Sequence, residues 1–425
     1  MDSILSPAEI DFYIETMREY AIHEVGSDNW LDWHDRLQKL NQQAVIEATS
    51  MRDEQVKETL TTFGKSHILV HEAILISIWK QKVLPHLLKF VPNPETTFIA
   101  YTVLYHEAIA ASLLELIMFY GAGCERLGDS AADLLEYVYE NAAQLLVIKC
   151  EPTADVCQMS GQQEILRNKN DLHFTIAIRS LSIIRYLAEY MDRVSLGVVS
   201  RMYETYDVPA LFVQLLIEKP WYKNGQVFNK GKWVNVSSDV VNTTEAQVWL
   251  TLRHLLLDKA FNTYYPITDS RKSHLMKIAP LLNPIVIDQM SPLLELKQFL
   301  FHLSVYNPQS AAKKPLLMET ILEVKNNIIQ QGHGQWKKIA KAQIDVIFCN
   351  DKEKLAQIAQ KLSAAYNTDV IEKFEGNASG ECALCGQPAI QRCSKCRKDF
   401  YCSRQCQVSH WQSHKDKCTP LAIEN

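Results

Sequence analysis

Eight residues toward the C-terminal end have the types and intervals of metal ligands: Cys382-x2-Cys385-x7-Cys393-x2-Cys396-x5-Cys402-x3-Cys406-x7-His414-x3-Cys418. A two-residue gap lets both sulfurs of a cysteine pair converge on one tetrahedral zinc. Cys402 and Cys406 are four apart, as are His414 and Cys418, so each pair shares a helical face about one turn apart. Four pairs supply eight ligands, enough for two closed four-coordinate sites. A closed site leaves no position for water or substrate, so the two zinc ions expected here are structural. The segment 382–418 is too short to bury a sufficient apolar core by itself. Zinc binding, worth about 10–16 kcal/mol per structural site in small fingers, is expected to dominate its folding.

No other constellation offers chemistry. His71-Glu72 and His106-Glu107 begin like HExxH, but the fourth positions are Leu75 and Ala110, so the second metal-binding histidine is missing. Both pairs read as ordinary polar residues at helix edges. Gly121-Ala122-Gly123 follows an apolar helix rather than a strand, which is the wrong context for a dinucleotide turn. GxxxxGK[ST] and GxSxG do not occur, and without them neither a phosphate loop nor a nucleophile elbow can be argued. No catalytic residue is expected. Of the 11 cysteines, Cys124, Cys150, Cys157 and Cys349 follow no spacing and read as reduced thiols of an intracellular protein.

The elements that carry the cluster are helical. Leu172, Phe174, Ala177, Ile178, Leu181, Ile184 and Leu187 step by three or four and form one apolar stripe. Leu113, Leu114, Leu116, Ile117 and Phe119 are apolar nearly all round, the signature of a helix buried between others. Further helices are expected near 7–24, 34–50, 66–89, 131–149, 245–259, 292–305, 315–331 and 335–348. Trp30, Trp33, Trp79, Trp249 and Trp336 lie in helical segments and are read as packing residues. Val227–Val234 holds two β-rich runs around a glycine turn, which predicts a hairpin inserted near 226–236. Residues 150–170 and 306–315 read as loops. The expected fold class is all-α: an armadillo/HEAT-like helical array over 1–375, a Gly/Ser-containing linker at 376–381, the finger at 382–418 and a tail at 419–425. No self-similar period accompanies the array.

Charge narrows the partners. The formal net charge is -5. Residues 381–418 carry seven Lys/Arg against three Asp/Glu, but two Zn2+ and seven thiolates bring the loaded module to about +1. Nucleic acid is therefore not an expected partner. The N-terminus has no basic and apolar leader, and no run is long enough to span a bilayer. Membrane insertion is not expected, and the N-x-S/T matches at Asn235, Asn242 and Asn377 are read as chance.

The cluster closely resembles the MYND-type zinc finger, including Phe400-Tyr401-Cys402 and Gln407-x3-Trp411-x2-His414-Lys415. The resemblance implies interleaved pairs: one zinc on Cys382, Cys385, Cys402 and Cys406, the other on Cys393, Cys396, His414 and Cys418. It also implies that His410 is not a ligand, leaving it as an exposed polar residue. In MYND fingers that take proline-rich peptides, the contact positions match Ser394, Gln407 and Trp411. Trp411 has a second reading, as a plug between the two zinc lobes.

Lys39-Leu40-Asn41, Trp79-Lys80-Gln81-Lys82-Val83, Val213-Gln214-Leu215-Leu216 and Pro220-Trp221, in that order and with the finger, extend a resemblance over nearly the whole chain. It is to the MYND-domain family of dynein-arm assembly factors. That resemblance implies a non-enzymatic cytoplasmic adaptor or co-chaperone for preassembly of axonemal dynein arms, with the centrosome or ciliary base as further locations. Its implied partners are a leucine-rich-repeat assembly factor, an Hsp90-type chaperone and an immunophilin co-chaperone, with dynein chains as clients. Two other MYND-bearing classes compete. A transcriptional corepressor would recruit proline-rich peptides in the nucleus, but no basic localisation run or DNA-binding module is evident. A lysine methyltransferase would need an Asn-His-x-Cys motif and a mixed α/β body, and neither is read here.

Overall fold

The computed structural model describes residues 4–50, 53–148, 159–229, 231–236, 240–305, 322–363, 380–389, 391–392, 400–402 and 404–415. The first helix, α1 (Pro7–Glu15), opens on a capping box between Ser6 and Glu9. It stops well short of the expected residue 24. The Tyr20 and Ala21 amides donate instead to the Glu72 and Glu24 carboxylates, so tertiary partners replace the helical ladder.

Next come α2 (Asp28–Ser50), α3 (Gln55–Thr62), α4 (Ser66–Lys82), α5 (Leu84–Phe90) and α6 (Phe98–Met118). The single helix expected over 66–89 is two, because Pro85 lacks an amide and fits only an early helical position. α4 and α6 are buried almost all round and pack on each other. After α7 (Gly121–Glu125) and α8 (Ser130–Gln144), α9 (Gly161–Glu189) packs along α6. Part of α9 falls where a loop to residue 170 is expected. A Ser160/Gln163 capping box starts it. Its Gly161 sits so close to the Pro94 carbonyl that an added Cβ would lie 2.2 Å from the oxygen.

The chain continues through α10 (Leu196–Ser200), one π turn at Arg201–Thr205 and α11 (Val208–Glu218). A three-stranded antiparallel insert follows: β1 (Tyr222–Lys223), β2 (Gln226–Asn229) and β3 (Lys232–Asn235). β2 and β3 form the expected hairpin, with Phe228 opposite Trp233 and Gly231 at φ 81° in the turn. β1 is an addition. Phe228 and Trp233 seat the insert on Phe174 of α9, with ring centroids 4.9 and 5.7 Å away. Beyond it run α12 (Thr243–Leu257), α13 (Lys259–Tyr264), α14 (Asp269–Met276), α15 (Pro284–Gln289) and α16 (Leu293–Val305). The loop expected at 306–315 lies outside the described residues.

The architecture is the expected all-α, armadillo/HEAT-like helical array. Its end does not simply extend it. α17 (Glu323–Gly332) packs on α4 and α8, and α18 (Trp336–Ile347) packs on α5 and α6. The buried Asp133 carboxylate of α8 accepts from the Glu323, Val324 and Lys325 amides at 3.2–3.5 Å, capping α17. Buried Gln343 accepts from Trp79 Nε1 at 2.9 Å and donates to the Ile22 and Val25 carbonyls. α19 (Lys352–Ser363) follows.

Two pairs placed at helix edges by sequence reading prove to be core. Glu72, His106 and Glu107 are fully buried. His34 and His106 meet at 3.0 Å through their Nδ1 atoms, and His106 Nε2 lies 3.1 Å from Glu72. Glu107 accepts from the Tyr137 hydroxyl and pairs with Lys80. Burial raises the Glu72 carboxyl, but hydrogen bonds from His106 and His71 outweigh it and hold the group below the usual carboxylate range. Trp30, Trp79 and Trp249 are buried among these helices. Among the described residues, no helix is long and apolar enough to cross a membrane.

Candidate metal centre

The finger begins with β4 (Gly380–Glu381), antiparallel to β5 (Pro388–Ala389). β4 therefore occupies the last two residues of the expected linker, whose remainder (376–379) lies outside the described residues. The turn between these strands carries Cys382 and Cys385. Gly386 at φ 70° lets the turn close, its amide donating to the Cys382 carbonyl while the Cys382 amide donates to Gln387. β6 (Gln391–Arg392) pairs with β7 (Phe400–Tyr401), which delivers Cys402. Cys406 lies in the first turn of α20 (Arg404–His414).

These elements bring Cys382, Cys385, Cys402 and Cys406 together, with one ligand atom from each lying within 4.8 Å of all the others. The Cys385–Cys402, Cys402–Cys406 and Cys406–Cys385 sulfur distances are 3.4, 3.5 and 3.9 Å. Four thiolates at about 2.3 Å from a tetrahedral zinc would lie about 3.8 Å apart, so the donor set and spacing suit zinc. Desolvation would raise the Cys382 thiol. The Cys402, Cys385 and Leu384 amides outweigh it and bring the thiol down to about 6. Hydrogen bonds with Cys385 and Cys406 push Cys402 up to about 12.

Of the other expected site residues, Cys393, Ser394, Cys396 and Cys418 lie outside the described residues. His414 is buried at the end of α20. Gln407 and Trp411 lie one turn apart on that helix. Gln407 is half-buried and Trp411 is 42% exposed. The indole still leans on His414, with ring centroids 5.9 Å apart. His410 departs from the exposed role expected for it. It is half-buried, and its Nδ1 lies 3.0 Å from the hydroxyl of fully buried Tyr401. Sequence reasoning missed this brace between β7 and α20, because two residues nine apart carry no pairing signal. Among the described residues, the scattered thiols Cys124 and Cys349 do not join the centre. Cys124 is buried, its thiol pushed up to about 12 by burial and by Glu189. Cys349 is half-buried, and Cys150 and Cys157 are outside the described residues.

The MYND finger family model matches residues 382–418. Over 98% of this chain and 99% of the relative, the sequence is 34% identical to the zinc finger MYND domain-containing protein 10 homolog of Drosophila melanogaster. Ubiquitin carboxyl-terminal hydrolase 15 of Arabidopsis thaliana is 38% identical over 66 residues, covering 15% of this chain and 7% of that protein. Deformed epidermal autoregulatory factor 1 of Drosophila melanogaster is 46% identical over 39 residues, covering 9% and 7%. Matches of such length carry a shared module and nothing of those proteins' remaining domains. No solved structure matches.

Proposed function

The chain belongs to the family of the zinc finger MYND domain-containing protein 10 homolog, and from that premise we propose that it is a non-enzymatic cytoplasmic adaptor in the preassembly of axonemal dynein arms. The observation that carries the reading is the extent of the kinship. Identity runs through the helical array as well as the finger, as it would where both parts serve one task. A helical array offers long surfaces for other proteins, and a four-thiolate centre has no open coordination position to activate a substrate. The proposed partners are a leucine-rich-repeat assembly factor, an Hsp90-type chaperone and an immunophilin co-chaperone, with dynein chains as clients. Two zinc ions are proposed for the complete finger, the second on Cys393, Cys396, His414 and Cys418.

The test is removal of the protein from multiciliated cells. Cilia should form but lack dynein arms, and dynein heavy chains should be depleted or misfolded in the cytoplasm. Normal arms in a true null would overturn the reading and favour a corepressor.

A second reading concerns how the finger works. The exposed Trp411 indole, with Gln407 one turn away, supports a docking site for an extended proline-rich peptide. An indole is a rigid platform for a proline ring, and a glutamine can pair with extended backbone.

A further inference from the structure

Away from the finger, the C-terminal end of α4, helix α5 and the first half of α9 enclose a groove of about 330 Å³. Its apolar lining is Leu166, 39% exposed, over the buried Leu84 and Leu88. Three lysines line it: Lys80, Lys89 and Lys169. Lys80 is buried and paired with Glu107 beneath the floor, so its charge is already compensated. Lys89 and Lys169 have no ion-pair partner among the described residues, and no carboxylate lines the groove.

Leu166, Lys169 and His173 follow one another at intervals of three and four along α9, on one face of the helix. Burial and the neighbouring Lys80 push Lys169 below the ordinary lysine range, with Glu107 acting the other way. Burial, Lys80 and Lys169 together bring His173 down to about 4. Lys169 is therefore a half-buried cation without an ion-pair partner among the described residues, with the exposed Lys89 at the rim of the same groove, an arrangement that an incoming anion would relieve.

We infer that this groove is a docking site for an acidic segment of a partner protein, one in which an apolar side chain is flanked by aspartate or glutamate. The apolar side chain lies against Leu84, Leu88 and Leu166, while the flanking carboxylates reach Lys89 and Lys169. A free phosphate would use the lysines and none of the apolar wall. A purely apolar helix would leave both lysines desolvated and uncompensated. The site goes beyond the adaptor reading and does not involve the finger, so it stands or falls apart from the role in dynein assembly.

The experiment uses the full-length, zinc-loaded chain and a printed array of heptapeptides, each with one leucine or phenylalanine between aspartate pairs. A matched array replaces every aspartate with lysine. Hits are then titrated in solution by fluorescence anisotropy. Binding should be confined to the acidic array and should weaken as salt rises. It should fall by roughly tenfold or more in Lys89→Glu/Lys169→Glu, since like charges then face each other. Lys297→Glu, on the exposed side of α16, should bind as the parent does, and far-UV circular dichroism should confirm that both variants fold. Equal capture by the two arrays would overturn the assignment, as would affinity unchanged in the double variant. Inorganic phosphate competing as well as the peptide would show that the apolar wall is unused. Self-association abolished by Lys89→Glu/Lys169→Glu would show that the occupant is a second copy of this chain.

Discussion

Replacing Gln343 with leucine tests how strongly the late helices are tied to the early ones. The side-chain amide of Gln343 serves three groups: Trp79 Nε1 at 2.9 Å, the Ile22 carbonyl at 2.9 Å and the Val25 carbonyl at 3.2 Å. Trp79, Ile22 and Val25 are at most 1% exposed, so water cannot take over from the lost amide. Each orphaned group costs about 1–3 kcal/mol. Gln343→Leu should therefore destabilise the chain by about 2–8 kcal/mol, once roughly 1 kcal/mol for the extra apolar surface of leucine is set against the three penalties. Trp79→Phe should cost less on the polar account, because it leaves only Gln343 Oε1 without its donor, although the smaller ring adds a cavity. Urea unfolding followed by far-UV circular dichroism and tryptophan fluorescence would measure both, and the double variant would give the coupling between them. A loss below about 1 kcal/mol for Gln343→Leu would mean that this end of the array opens to solvent easily and that the hydrogen bonds do not close it.

Native mass spectrometry should find two zinc ions per chain, and one ion would sink the interleaved ligand pairing. Cys382→Ala should release metal and unfold the finger while the helical signal of the array survives; loss of both would make the two parts one folding unit. Trp411→Ala should keep its zinc and weaken partner binding by roughly 2–4 kcal/mol if the indole is a hot spot, whereas loss of metal would make it a structural plug. Acid should destabilise the array as pH falls below about 6.5. Burial and the adjacent His106 hold His34 well below the ordinary histidine range, and His173 is at about 4, so the unfolded chain takes up protons that the folded chain refuses. The urea midpoint should thus be highest near neutral pH and fall from 6.5 toward 4, with a shallower slope in His173→Gln; a flat profile would refute it.

Local pattern located the helices whose partners are generic. The stripe from Phe174 to Leu187 needs only an apolar neighbour, and Phe174, Ala177, Leu181, Ile184 and Leu187 are buried as their spacing dictates. The hairpin at 226–236 was legible from the alternation around Gly231. What escaped depends on distant chemistry. Nothing near residue 16 foretells that Glu72 will take the Tyr20 amide and end α1 early. The His71-Glu72 and His106-Glu107 pairs look like surface dipeptides until α4 packs on α6 and α6 on α2. Pro85 and the Ser160/Gln163 box were visible local signals that outweighed a periodicity drawn through or stopped beside them. In the finger, cysteine spacing identified the thiolates as ligands, whereas the grouping of Cys382 and Cys385 with Cys402 and Cys406 around one centre was implied by the resemblance to MYND fingers and not by the intervals. The Tyr401–His410 brace follows no such rule.

The capping of α17 by Asp133 and the Gln343–Trp79 bond also govern when this chain becomes a finished molecule. Trp79 and Gln343 are 264 residues apart. At the usual pace of synthesis, about 5–20 residues per second, Trp79 waits roughly 10–50 seconds on the ribosome for its partner. During that interval α4, and α8 once it is made, lack the cover that α17 later supplies, as α5 and α6 lack that of α18, so the nascent array presents apolar surface during translation. A stop codon within the finger would release a chain whose array could still close. One placed before α17 would release a chain that never covers α4 and α8, which makes its position relative to residue 323 decide between a protein lacking its finger and one sent for degradation.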